Sequence, residues 1–174
     1  MRHVFVRHPP MPELRGRCYG RLDAALPDVV FDRAARLVAP HLPPWPITSS
    51  PRLRCIGLAN ALHALQGSDD AVRVDARWQE LDFGDWEGRP WSTLPRDELD
   101  AWSRDVAGYT MPGGESFLDL LARVREALAT LDRPHVVVAH AGTARAALHI
   151  AGMPLDRAAA ATIAHAQPVW IDFD

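Results

Sequence analysis

Lysine is absent from this chain of 174 residues, so all 19 of its permanent cations are arginines. With the abundant alanine, that bias marks a GC-rich genome and says nothing about chemistry. Cysteine is nearly absent. Cys18 and Cys55 are the only two, without metal-site spacing or the numbers a disulfide framework needs, and both read as inert small side chains. No apolar run approaches the ~20 residues of a membrane span, which argues against a membrane partner. A basic stripe is missing too: the net charge is −3 and the pI about 6.2, which argues against nucleic acid. Met1 to Phe5 enter a structured pattern at once, so a signal peptide is not expected and the chain reads as cytoplasmic. Repeats, low-complexity tracts and long linkers are lacking. One domain over residues 1–174 is therefore expected, ordinary in its 48% hydrophobic and 24% charged content and long enough for a real core.

What is present alternates between strand and helix. The apolar run His3–Val6 ends at Arg7-His8, and Pro9-Pro10-Met11-Pro12 forces a loop that runs on to Asp23. A helix is expected from Asp28, with Phe31, Ala34, Ala35, Leu37 and Val38 on one face. Pro46–Ser49 reads as a short strand, and a helix from about Arg52 carries Leu53, Ile56, Leu58, Ala61, Leu62 and Leu65 inward. Val72–Val74 is a third strand. Residues 78–88, rich in Trp, Gly and carboxylates, have neither period and read as an ordered functional loop. A short helix and a small lid follow at about 95–115. Ser116 and Asp119 form a capping-box pattern before a clean helical run to Leu131. Val136–Ala139 then leads to His140 and another helix, and Val169–Ile171 closes the chain as a strand. This alternation predicts an α/β domain with a mainly parallel sheet.

A buried parallel strand that stops at a polar residue delivers that residue to the carboxyl edge of the sheet, where open α/β folds place their sites. His8 and His140 both arrive this way. Phosphoryl transfer needs a nucleophile, cations around three oxygens, and an acid for the leaving oxygen. A neutral His8 can attack if its other ring nitrogen keeps its proton and donates it. Arg7 and Arg54 offer planar forks that match phosphate oxygens, and His140 precedes a helix N-terminus that favours an anion. Glu80, in a loop walled by Trp78, Phe83 and Trp86, is the candidate acid and then base on water. Taken singly these residues are ordinary. Arg54 alone reads as a solvated helix residue, Glu80 is one carboxylate among several, and His3, His41, His63, His135, His149 and His165 read as structural or surface. Their co-occurrence on one sheet edge carries the argument.

In that order the motifs resemble the histidine phosphatase superfamily, the phosphoglycerate-mutase-like proteins, over essentially the whole length. Arg7-His8 resembles the family's Arg-His pair, whose histidine is phosphorylated. Ser49–Arg54 is similar to its Ser-Pro-x-x-Arg segment, and Glu80–Gly88 to the loop whose first glutamate is the proton donor. Pro112–Ser116 matches another family segment, and His140-Ala141-Gly142 resembles the second histidine. The resemblance implies a three-layer α/β/α sandwich with catalytic His8, Glu80 and His140, phosphate held by Arg7, Arg54 and His140, and no metal or other cofactor. Two departures stand out. Pro9-Pro10 replace the usual Gly-Glu, although the Pro9 carbonyl can still accept the His8 proton. The family's phosphate-binding asparagine has no match; Leu14 lies nearest, with Arg15 and Arg17 open as substitutes.

Ala141 after His140 separates the chain from the acid-phosphatase and phytase branch, and its compactness separates it from the mutases. Gly16–Asp23 and Leu53-Arg54-Cys55 resemble the α-ribazole phosphatases of cobalamin biosynthesis, with Tyr19 and Gly20 as substrate contacts. The expected reaction is hydrolysis of a small phosphate ester through a phosphohistidine. Alternatives are a cofactor-dependent mutase, a protein phosphohistidine phosphatase, and a phosphate-binding module without turnover. The expected partner is a small-molecule phosphate ester and, at most, a second copy of the chain in a homodimer.

Overall fold

The fold was obtained as a computed structural model and is described for residues 1–173. Five strands form one sheet: β1 (Arg2–Arg7), β2 (Ile47–Ser49), β3 (Arg73–Val74), β4 (Val136–Ala139) and β5 (Pro168–Asp172), in the order β3-β2-β4-β1-β5. The first four are mutually parallel; β5 runs antiparallel along β1. The described residues also form six α-helices: α1 (Asp28–Val38), α2 (Leu53–Gln66), α3 (Arg96–Arg104), α4 (Phe117–Leu128), α5 (Ala141–Ile150) and α6 (Leu155–Ala160).

The alternation of side chains along each strand divides the core. Val4, Val6, Ile47, Val136 and Val138 pack beneath α1 and α2. Phe5, Val137, Ala139 and Ile171 face the other way, toward Leu120, Val124, Ala144 and Ala147 of α4 and α5. This is the expected three-layer α/β/α sandwich. The neighbours β1 and β4 send their following helices to opposite faces, α1 to one and α5 to the other. That divergence opens a crevice at the carboxyl edge of the pair.

Several details differ from the sequence reading. Leu37 is 65% exposed, and Leu53 and Leu65 are exposed as well. The inward face of α2 keeps Leu58 and Leu62 and adds Arg54, Cys55 and Ala59, because the crevice draws the first turn's arginine inward. The third strand shrinks to the exposed pair Arg73–Val74. Helix α4 ends at Leu128, and Leu131 is buried beyond it. Helix α6, only six residues long, escapes a periodicity reading. Among the described residues no helix is long and apolar enough to cross a membrane.

Candidate active site

Strand β1 ends by placing His8 under the β4 terminus, where His8 N donates to Ala139 O at 3.1 Å. Its Nδ1 lies 2.6 Å from Pro9 O. A carbonyl can only accept, so Nδ1 carries the proton and Nε2 presents a lone pair. The proline therefore keeps the acceptor that the sequence reading required of it. Burial, then the Arg54 charge, pushes the His8 pKa well below 6.5, leaving a neutral ring near pH 7.

His140 caps α5 one strand away, its ring centroid 5.3 Å from that of His8. The Arg54 guanidinium donates to its Nδ1 at 3.3 Å, and its Nε2 sits 2.8 Å from Ser50 Oγ. The arginine has no lone pair to offer, so Nδ1 accepts and Nε2–H donates to the serine. Burial, followed by Arg54 and His8, lowers the His140 pKa well below its ordinary value.

Arg54 is 0% exposed. Taken without its neighbours Arg54 reads as a solvated helix residue; the fold buries it because four acceptors surround it. Nη2 donates to Gly20 O at 2.6 Å, and Nη1 to Leu22 O at 2.8 Å and Asp23 Oδ1 at 3.4 Å, beside the His140 bond. Glu87 builds the loop that supplies those carbonyls. Its carboxylate accepts from the backbone N–H of Gly20, Arg21 and Leu22 at 2.8–3.0 Å and of Phe83 at 3.2 Å. Gly20 itself is buried, and a Cβ there would stand 1.8 Å from Leu81 O. Read from sequence as a substrate contact, Gly20 sits instead as a brace for Arg54, both of its backbone groups engaged within the protein. Tyr19 is half-buried, 6.5 Å from the His8 ring and 5.4 Å beneath the Arg54 guanidinium carbon.

Arg7 turns toward the 163–166 segment and donates from Nη1 to Ile163 O at 2.8 Å. Arg7 Nε and Arg54 Nε are buried donors with no partner among the described residues. Buried donors are rarely left unpaired, and two arginine N–H groups beside two neutral imidazoles suit an anion. Arg15 and Arg17, the candidates to replace the asparagine, are both exposed, and Arg17 donates to Gly88 O at 2.7 Å.

Glu80 lies across the crevice at the start of α5. Its Oε2 accepts from Gly142 N at 3.1 Å and its Oε1 from Leu81 N at 3.0 Å. The expected aromatic walls are only partly there: Trp78 and Trp86 are fully buried in the core beneath the loop, whereas Phe83 stays alongside. The loop is fixed by a residue the sequence reading passed over, Arg123 of α4. It donates to the carbonyls of Arg77, Gln79 and Glu80 at 2.6–2.9 Å and pairs with Glu115 at 2.6 Å. It stands on a helix outside every motif, which hid it, although its pairing partner belongs to the Pro112–Ser116 segment.

Beside Glu80 opens a cavity of about 440 Å³, lined by Leu81, Phe83, Trp91, Trp102, Val106 and Phe117 among others, with Arg145 at its edge. Trp91 and Trp102 stack at 6.0 Å, so α3 and the preceding turn roof this space. His165, read as structural or surface, stands outside that cavity but against the nucleophile: its ring centroid is 5.3 Å from that of His8. Among the described residues, no group of three or more His, Cys, Asp or Glu side chains converges as metal ligands would.

The sequence profile of the histidine phosphatase superfamily (branch 1) matches residues 3–174. A glucosyl-3-phosphoglycerate phosphatase of Mycobacterium tuberculosis is 33% identical over 160 residues, covering 81% of this chain and 70% of that protein. Its counterpart in Mycolicibacterium vanbaalenii is 34% identical over 175 residues, covering 89% and 76%. Among solved structures, a phosphoglycerate mutase from Thermus thermophilus superposes with a TM-score of 0.79 at 29% identity, covering 99% of this chain and 93% of that one. A mycobacterial glucosyl-3-phosphoglycerate phosphatase complexed with VO3 gives 0.78 at 29% identity, covering 97% and 90%.

Proposed function

We propose that this chain, which belongs to the histidine phosphatase superfamily, branch 1, hydrolyses a small phosphate ester through a phosphohistidine at His8. One observation carries this reading: the Nδ1–H bond to Pro9 O leaves the Nε2 lone pair of a neutral imidazole beside Arg7, Arg54 and His140. In the first step Nε2 attacks phosphorus while the ester oxygen leaves with a proton from Glu80. In the second, the Glu80 carboxylate takes a proton from water, whose oxygen attacks phosphorus and releases phosphate and free His8. The unpaired Nε–H groups of Arg7 and Arg54 hold the phosphoryl oxygens as charge spreads over them, and His140 joins them by turning its Nε2–H from Ser50 to the phosphoryl group.

Glu80 must touch the leaving oxygen, so the cavity it lines is the natural seat of the organic half. That cavity is dominated by aromatic and aliphatic side chains, and Trp102 and Val106 of the 95–111 segment roof it as a lid. An apolar, planar organic group fits these walls. α-Ribazole 5′-phosphate, suggested by the resemblance of Gly16–Asp23 and Leu53–Cys55, has such a group. The glucosyl-3-phosphoglycerate phosphatases among the relatives are named for an ester that carries hydroxyls and a carboxylate; Arg145 at the cavity edge is the feature that favours that second ester. The test is phosphate release from both esters beside p-nitrophenyl phosphate, with His8→Ala as control. Release of phosphate by His8→Ala at the wild-type rate would overturn the mechanism. Equal, slow release from both natural esters would keep the mechanism and discard both substrates.

A further inference from the structure

The mechanism leaves unexplained the histidine packed against its nucleophile. His165 lies in the segment that leads into β5, with Nδ1 2.7 Å from the His8 carbonyl oxygen. That oxygen can only accept, so Nδ1 is the donor. The need for it follows from the prolines. Pro9 and Pro10 have no N–H, and the main-chain ladder of β1 ends with the His8 N–H bond to Ala139. The carbonyls of His8 and Pro9 are then served by two imidazoles in series: His165 donates to His8 O, and His8 donates to Pro9 O.

The segment itself is built around this contact. Ala166 N donates to Arg7 O at 2.9 Å, and Arg7 Nη1 returns a bond to Ile163 O at 2.8 Å. Ala166 has φ 49°, the only positive φ of a non-glycine among the described residues. Such a conformation is uncommon and persists where surrounding contacts demand it. Here the demand is that His165 and the Ala166 N–H both face the Arg7-His8 backbone.

We infer that His165 is the positioning residue of the nucleophile, holding the His8 main chain so that the imidazole meets the phosphoryl group in line. It acts through the His8 carbonyl rather than on substrate. The inference rests on the reading of His8 as nucleophile. Misplacing a reacting group by about 1 Å costs on the order of 10²-fold in rate, which sets the scale of the effect.

The experiment uses p-nitrophenyl phosphate with three variants of the whole chain. His165→Asn keeps an N–H near the position of Nδ1; His165→Asp and His165→Leu do not. Leu and Asp should lower kcat by roughly 10- to 100-fold with KM nearly unchanged, and Asn should recover most of the loss. Rapid-quench capture of acid-labile phosphate should show the loss in the phosphorylation step. Should Leu fail to fold, the comparison of Asn with its near-isostere Asp decides. Wild-type kcat in the Leu variant, or equal kcat in Asn and Asp, overturns the positioning role. Absence of acid-labile phosphate on the wild-type chain would instead overturn the phosphohistidine reading.

Discussion

Gly142→Ala adds one methyl group where the acid and α5 meet. The new Cβ would stand 2.1 Å from Glu80 Oε1, 3.1 Å from Glu80 Cδ and 3.1 Å from Leu120 Cδ2. Non-bonded carbon contacts settle near 3.5–4.0 Å, so the Glu80 carboxylate has to retreat by more than about 1 Å. It sits at the end of a flexible side chain and can do so without disturbing the sheet. Alanine is also the better helix former, by up to about 1 kcal/mol. That gain roughly offsets the Gly142 N–H bond to Glu80 that is lost, so stability should change little while the proton donor leaves its station. General acid–base catalysis contributes about 10²–10⁴, so a displaced Glu80 should cost at least ~10² in kcat for an alkyl phosphate ester, about 2.7 kcal/mol of barrier. With p-nitrophenyl phosphate, whose phenolate leaves without a proton, the phosphorylation step should scarcely change. kcat/KM on both esters reports the phosphorylation step alone and, with a thermal melt as control, reads the result directly. Equal losses of kcat/KM on the two esters, or full activity on the alkyl ester, would refute the placement of Glu80 as acid.

Three further outcomes follow from the same geometry. Arg54→Ala removes the buried fork between His140 and the 20–23 loop and should lower kcat/KM by roughly 10²–10³, with near-normal kinetics as the contrary result. Gly57→Ala would set a methyl 2.3 Å from the Phe31 ring, where α2 crosses α1; overpacking of this kind costs about 1–3 kcal/mol and should appear as a lower urea midpoint with kcat unchanged. Stability should fall as the pH drops from about 6.5 toward 4. His3 is lowered to about 4 by burial and by nearby His135, and His8 and His140 lie well below 6.5. Between those folded values and the unfolded value near 6.5, the unfolded chain binds more protons. The stabilisation is complete above about 6.5, and a melting temperature flat between pH 7 and 5 would contradict it.

Much of the site could be read in the sequence because its parts stand where strands end. The β-runs stopping at His8 and His140 named two residues that the fold brings ring to ring. The capping pattern at Ser116 and Asp119 is realised, with the serine hydroxyl accepting from Asp119 N, since a cap depends on four consecutive residues and little else. These features are local. Arg54 shows the limit: its spacing marked it, but nothing in the chain says that Gly20, Leu22, Asp23 and His140 will surround it and bury its charge.

The strand and helix order, the dipeptides at the strand ends and the acceptor on Pro9 were determined by the sequence itself, because each depends on bonds between near neighbours. The tertiary structure alone decided that His165, 157 positions from His8, would close on its carbonyl. It alone made Arg123 the clamp of the Glu80 loop and opened an aromatic cavity beside the acid. Those contacts join segments that only the pairing of β5 with β1 and the packing of α4 and α3 bring together. No periodicity or motif encodes a hydrogen bond across such a distance.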